Sequence, residues 1–199
     1  MVRRRLAGAR PTQSFPPSAG RFFYNAAHFQ VHAATVMGLA DFDAVALTSE
    51  IRTELSAPGF TYLQTNLAGG LNSSASAYAG FLQHVLRGDF VLSSLLGNSK
   101  VCASSACAAG AVHSPAPEDE AWNYSLGHWV EDDPTVGDGA FSSAGALGFY
   151  PWIDATSTWY GVIARRADSS GGSQGVLSQR CGRLLRRAWV TGVSAAPPG

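Results

Sequence analysis

Apolar positions recur at helical spacing in the first half of the chain and at strand spacing later. In HFQVHAATVMGLA, Phe29, Val36 and Leu39 fall near helical spacing and predict a helix over residues 28–40. DAVALTSEIRTEL predicts a second helix, opened by Asp41 or Asp43 as N-cap and running to about Leu55, with Pro58-Gly59 as its stop. The stretch from Phe60 to Leu71 reads as irregular, and Gly69-Gly70 mark a tight backbone passage. The clearest helix follows Ser73 or Ser74. Tyr78, Phe81, Leu82, Val85 and Leu86 make its apolar face, and Gly88 ends it. Residues 97–121 are small and polar, with Pro115 and Pro117, and read as a long loop.

After Trp122 the pattern changes. NYSLGHWVED has the alternating, aromatic character of a strand, and FYPWIDAT and TWYGVIARR predict two more, joined by a turn over Asp154–Ser157. Gly171-Gly172-Ser173 reads as a flexible link. VLSQRCGRLLRRAWV then reads as an amphipathic helix that buries Val176, Leu177, Leu184, Leu185 and Trp189. Helices first, strands next and a closing helix predict an α+β fold, with that helix packed on an antiparallel sheet. Residues 1–20 read as an irregular basic lead-in, 21–190 as the folded domain and 191–199 as a disordered tail.

Composition narrows the function classes. Formal net charge is zero and 14% of the 199 residues are charged, so no long-range field draws the chain to nucleic acid or an anionic membrane. No apolar run approaches the roughly 18 residues of a membrane span. Basic residues near the start precede no apolar h-region, so a secretory signal is not expected. Three cysteines at irregular spacing are no disulfide framework. Cys102 and Cys107 are expected as a thiol pair in a surface loop, with a local bridge in an oxidising compartment as the alternative.

Three segments, taken in order, carry a resemblance: PPSAGRFFYNAAHFQV, then NLAGGLNSSASAYAGFLQHVLRG, then YSLGHWVED followed by FSSAGALGFYPWIDATSTWYGVIARR. Together they span nearly all of residues 16–190. The chain resembles the carboxy-terminal portion of the serine β-lactamase and penicillin-binding-protein-like hydrolases. The resemblance implies a partial β-lactamase/transpeptidase-like fold and acyl transfer on a small ester, amide or β-lactam, without a cofactor. It places Tyr24 at the family's proton-shuttling tyrosine, with Asn25 beside it on the substrate side. It places Ser143 where the family usually has Lys or His, with Gly145 next in the strand motif. The Ala146 N–H falls at the oxyanion position. Without a positive charge at Ser143, attraction for a substrate carboxylate weakens.

The family's nucleophile stands in Ser-x-x-Lys, one helical turn apart, so that the amine can take the hydroxyl proton. Lys100 is the sole lysine, Gly97 stands three residues before it, and the motif occurs nowhere. Since that motif lies upstream of the tyrosine in the family, its absence is expected to reflect truncation. The chain is then expected to be inactive alone, or to serve as a non-catalytic binding or scaffold module whose half-sheet exposes an edge.

Rival constellations are weaker. Gly171-Gly172-Ser173-Gln174-Gly175 fits Gly-x-Ser-x-Gly, but a nucleophile elbow needs its acid and His downstream, and Asp168 and His128 both lie upstream. His28 and His32 stand four apart with no third ligand, and read as a packed or surface pair. Glu118–Glu120 and Glu131–Asp133 read as solvated acidic loops.

Overall fold

The computed structural model describes residues 21–105, 107, 110–168 and 173–194. The basic lead-in, Gly171-Gly172 and residues 195–199 lie outside them. The chain divides into two compact units, Tyr24–Phe81 and, among the described residues, 21–23 with 82–194.

The first unit holds α1 (Ala27–Thr35), α2 (Ala44–Glu54) and a two-stranded antiparallel hairpin, β1 (Thr61–Tyr62) with β2 (Leu71–Asn72). Asp43 caps α2 as expected, its Oδ1 accepting from the Val45 and Ala46 N–H groups at 3.0 and 2.9 Å. α1 is shorter than its sequence pattern. Leu39 N–H reaches back to Ala33 O at 3.0 Å across Gly38, whose φ of +71° ends the helix. Its buried positions are Gln30 and Ala33, while Val36 is exposed. The passage expected to be irregular contains the hairpin. Gly70 makes it possible, since a Cβ there would stand 2.5 Å from Gln64 O. Gln30 ties the loop to α1 by donating to Thr65 O (2.9 Å) and accepting from Leu67 N–H (2.8 Å). Ala33, Leu39, Leu47 and Tyr62 form the core.

Helix α3 (Ala75–Arg87) carries the chain from one unit into the other. The Ser74 Oγ accepts from Ala77 N–H at 3.2 Å, Leu82 and Val85 are buried, and Gly88 follows at φ +85°, as its sequence predicts.

The second unit is an antiparallel meander of six strands in sequence order. They are β3 (Val101–Cys102), β4 (Asn123–Ser125), β5 (His128–Glu131), β6 (Ala140–Ser142), β7 (Tyr150–Ile153) and β8 (Tyr160–Ile163). NYSLGHWVED is thus two strands, not one: Leu126 and Gly127 both take positive φ, the conformation of a two-residue hairpin turn. The turn after β7 falls where expected. The Asp154 side chain organises it, Oδ1 accepting from the N–H groups of Thr158 (2.7 Å) and Trp159 (2.8 Å). The long loop before Trp122 contains β3, and Cys102 is bonded to Cys107 in a disulfide, so the expected thiol pair is a bridge.

Helix α4 (Ser173–Thr191) closes the unit against β7 and β8. Its orientation overturns the expected buried set. Leu177, Leu185 and Trp189 are exposed, and the buried positions are Gly175, Ser178, Gln179, Gly182 and Arg186. These fall on one helical stripe. Bulk decides it: a Cβ at Gly182 would stand 2.3 Å from the Tyr150 ring, so only a glycine lets the helix down onto that aromatic.

Candidate functional site

Register sets one face of the second sheet. Trp129 pairs with Ser142, Glu131 with Ala140, Ser142 with Trp152, and Trp152 with Gly161. Cross-strand partners share a face, so these residues and Tyr150 lie together under α4. The Trp152 ring occupies the space a side chain at 161 would need: a Cβ on Gly161 would meet it at 2.1 Å.

Four buried polar side chains join the helix to this face. Glu131 is 0% exposed and Arg186 3%. Glu131 Oε1 accepts from the Tyr150 hydroxyl (2.6 Å), and Oε2 accepts from Gln179 Nε2 (2.7 Å) and Arg186 Nη2 (2.8 Å). Arg186 Nη1 donates to the Tyr150 oxygen at 2.5 Å, and its Nε and Nη2 grip Asp138 at 2.5 and 3.0 Å. Each proton has an acceptor: the tyrosine donates to the carboxylate and accepts from the guanidinium. Burial and the Glu131 charge push the Tyr150 phenol well above its ordinary pKa, so it stays protonated. Burial alone would lower the Arg186 pKa; Tyr150, Glu131 and Asp138 together raise it instead. Arg183 bonds Glu120, whose Oε2 also accepts from Trp122 Nε1 at 2.8 Å. Glu131, Tyr150 and Arg186 satisfy one another and tie the helix to the sheet, while Gln179 Oε1 and Arg183 Nε are buried without a partner among the described residues.

The helix so tied lies over the end of β6. Gly175 of α4 lies so close to the reversal that a Cβ there would stand 2.8 Å from Gly145 O. Within the reversal, Ser143 N–H bonds Pro151 O (3.2 Å), Gly145 N–H bonds Phe149 O (2.8 Å) and Gly148 N–H bonds Gly145 O (2.9 Å). The Ala146 N–H makes no hydrogen bond among the described residues, and Ser143 and Ala146 are exposed. The result is a backbone donor on an exposed residue with no partner among the described residues. Behind it, the buried Ser142 Oγ and Trp152 Nε1 lack partners among the described residues.

The other expected site residues belong to the first unit. Asn25 Oδ1 accepts from the Ala27 N–H at 2.6 Å, so this side chain braces the start of α1. Tyr24 is 37% exposed, and partial burial raises its phenol pKa, against the direction a proton-accepting tyrosinate needs.

The lysine and His128 are already engaged. Lys100 Nζ binds Asp132 Oδ2 at 2.5 Å. Gly97, three residues before that lysine, takes φ +72°, and a Cβ there would meet the Phe141 ring at 2.8 Å. The position excludes a serine in this backbone. Burial lowers the pKa of His128, keeping it neutral, and its Nε2 accepts from Gly97 N–H at 3.0 Å. That bond occupies the imidazole's basic lone pair. His28 and His32 are both exposed, and the described residues contain no group of three or more His, Cys, Asp or Glu able to hold a metal ion. Nor is any helix among the described residues long and apolar enough to cross a membrane.

The chain matches no family model and no curated protein.

The buried polar residues that sequence reasoning missed are Glu131, Tyr150, Gln179 and Arg186. One signal was available. Gly175, Ser178, Gln179, Gly182 and Arg186 form the only stripe of α4 small enough to lie on large aromatics, and it carries one long cation among short side chains.

Proposed function

We propose that this chain is a degenerate relative of the serine β-lactamase and penicillin-binding-protein-like hydrolases, keeping a substrate-facing strand end but forming no acyl-enzyme by itself. The observation that carries this reading is the reversal at Ser143–Ala146. Its backbone is pinned by three hydrogen bonds and lies close under α4, and it leaves the Ala146 N–H without a partner among the described residues, as an oxyanion donor would be. The chemistry it would serve lacks its activated hydroxyl: no Ser-x-x-Lys occurs in the sequence, and the single lysine is paired with Asp132. An ester, amide or β-lactam carbonyl would find a donor there but no attacking group.

The test is covalent trapping. The purified chain is incubated with a fluorophosphonate and, separately, with a fluorescent penicillin, then read by intact mass. No stoichiometric adduct is expected. One adduct per chain at any serine overturns the assignment of chemical silence.

A second reading, a non-catalytic scaffold, is favoured by the closed assembly of Glu131, Tyr150, Gln179 and Arg186. Their hydrogen bonds to one another tie the closing helix to the sheet. Non-covalent binding of an aryl boronate, tested by calorimetry, separates the two. Binding that Ala146→Pro abolishes favours a residual site; no binding favours the scaffold.

A further inference from the structure

Where α3 ends, the chain folds back and leaves a cleft of about 330 Å³ within the second unit. Gly88 leaves the helix at φ +85°, with its N–H on Val85 O (3.2 Å) and the Asp89 N–H on His84 O (3.1 Å). A turn of 3-10 helix follows over Val91–Ser94, and the chain returns through Leu96 to Gly97. The cleft lies between these segments, and Ser157 from the turn after β7 completes its wall.

Each wall is tied to the sheet by its own bonds, so the cleft is formed in advance of any occupant. Gln83 Nε2 donates to the Tyr160 hydroxyl at 2.8 Å, fastening the last turns of α3 to β8. Gly97 N–H donates to His128 Nε2 (3.0 Å), and Ser125 Oγ donates to Asn98 O (2.5 Å). Those two bonds fasten the returning loop to β5 and β4. Ser157 N–H donates to Asp154 O at 2.9 Å.

The lining divides into an apolar floor and one cation. Val85 is buried and Leu86, Phe90 and Leu96 are half-buried. Arg87 is exposed, is the single charged residue of the lining, and has no ion pair or hydrogen bond among the described residues. Asp89, its near neighbour in sequence, lies outside the lining and is held by His84 Nδ1 at 2.7 Å. Ser93 also lines the cleft, and its buried Oγ lacks a partner among the described residues, which is unusual for a buried hydroxyl.

These features select a chemistry. The floor takes a hydrocarbon body, and one guanidinium takes one carboxylate through paired N–H groups. A polyphosphate would find no second cation here, and an amine or metal ion would find no acid. We propose that the cleft binds a small monocarboxylate with an aliphatic body of medium length. Its carboxylate lies on Arg87, with the Ser93 hydroxyl as a second donor, and its chain lies on Val85, Leu86, Phe90 and Leu96. The volume falls at the lower end of small-molecule pockets, which span about 300–1,000 Å³. The cleft shares no residue with the Ser143–Ala146 reversal, which lies at the other end of β7, so its failure leaves the hydrolase reading untouched.

Decanoate, kept below its micelle concentration, is the probe. The full chain is titrated with it by calorimetry, and an isotope-labelled chain reports amide shifts. Saturable one-to-one binding is expected, with shifts centred on residues 85–96 and 157. Decyltrimethylammonium, of similar chain length and opposite head charge, is expected not to bind. Arg87→Gln should weaken decanoate by roughly tenfold or more, and Arg87→Lys should keep part of the affinity. Circular dichroism of both variants stays that of the parent; should either misfold, the shift map and the head-group comparison decide. Absence of saturable binding at millimolar decanoate overturns the proposal. So do equal binding of the ammonium, shifts centred elsewhere, or a folded Arg87→Gln chain of unchanged affinity.

Discussion

Arg186 reaches Glu131 at 2.8 Å from the far side of a helix–sheet boundary, with both side chains out of water. A buried pair of this kind is stable only as a set, because either charge left alone keeps its desolvation penalty without its partner. Arg186→Met is therefore expected to destabilise the second unit by about 3–5 kcal/mol. Adding Glu131→Gln should recover a large part of that loss. Urea denaturation of both singles and the double variant measures the coupling, and purely additive losses would contradict it.

Gly182 sits mid-helix, where glycine ordinarily weakens a helix by about 1 kcal/mol relative to alanine. Propensity alone makes Gly182→Ala stabilising. The packing predicts the opposite sign, since the new Cβ would stand 2.3 Å from the Tyr150 ring. Lifting α4 off the sheet is expected to cost about 1–3 kcal/mol. A lowered melting temperature is the outcome that fits.

The Asp133 carboxyl is held well below the usual carboxylate range, first by the Thr135 hydroxyl and then by the Ala121 and Thr135 N–H groups. Burial pushes Asp154 up, but hydrogen bonds from Thr156 and from the Trp159 and Thr156 N–H groups outweigh it and lower its pKa. A depressed folded-state pKa gives stability that is fully present above the unfolded value of about 3.9 and fades as pH falls through the folded one. Stability should thus decline as the solution is acidified below about pH 4. Asp133→Ala, less stable at neutral pH, should show a shallower acid slope in denaturation curves taken at successive pH values.

Cys102 and Cys107 are bridged and Cys181 is free. Alkylation without reductant should add one adduct by intact mass, and three after reduction. Closing so short a loop contributes about 2 kcal/mol in the chain-entropy picture. Reduction should accordingly lower the melting temperature by a few degrees.

Local chemistry determined much of the chain. Asp43, Ser74 and Gly88 end their helices with groups that act within a few residues, so α2 and α3 were legible from the residues themselves. The same holds for the turn at Asp154, whose carboxylate bonds the backbone just after it. The β1–β2 hairpin and the split of NYSLGHWVED were hidden because two- and three-residue strands are too short to show a period. Of the site, Ser143–Ala146, which the resemblance put in a strand motif, lie in the reversal just after β6. That Asn25 braces a helix and Lys100 pairs with Asp132, 32 residues on, could not be read from the sequence.

The closing helix shows where sequence pattern stops. Periodicity ranks positions by their apolarity, and by that measure Leu177, Leu185 and Trp189 go inside. The chain instead seats glycines and a cation there, because α4 must descend on Tyr150 and Trp152 and must neutralise Glu131. Both demands come from strands about 30 to 55 residues earlier, and only the folded sheet brings them to bear on the helix.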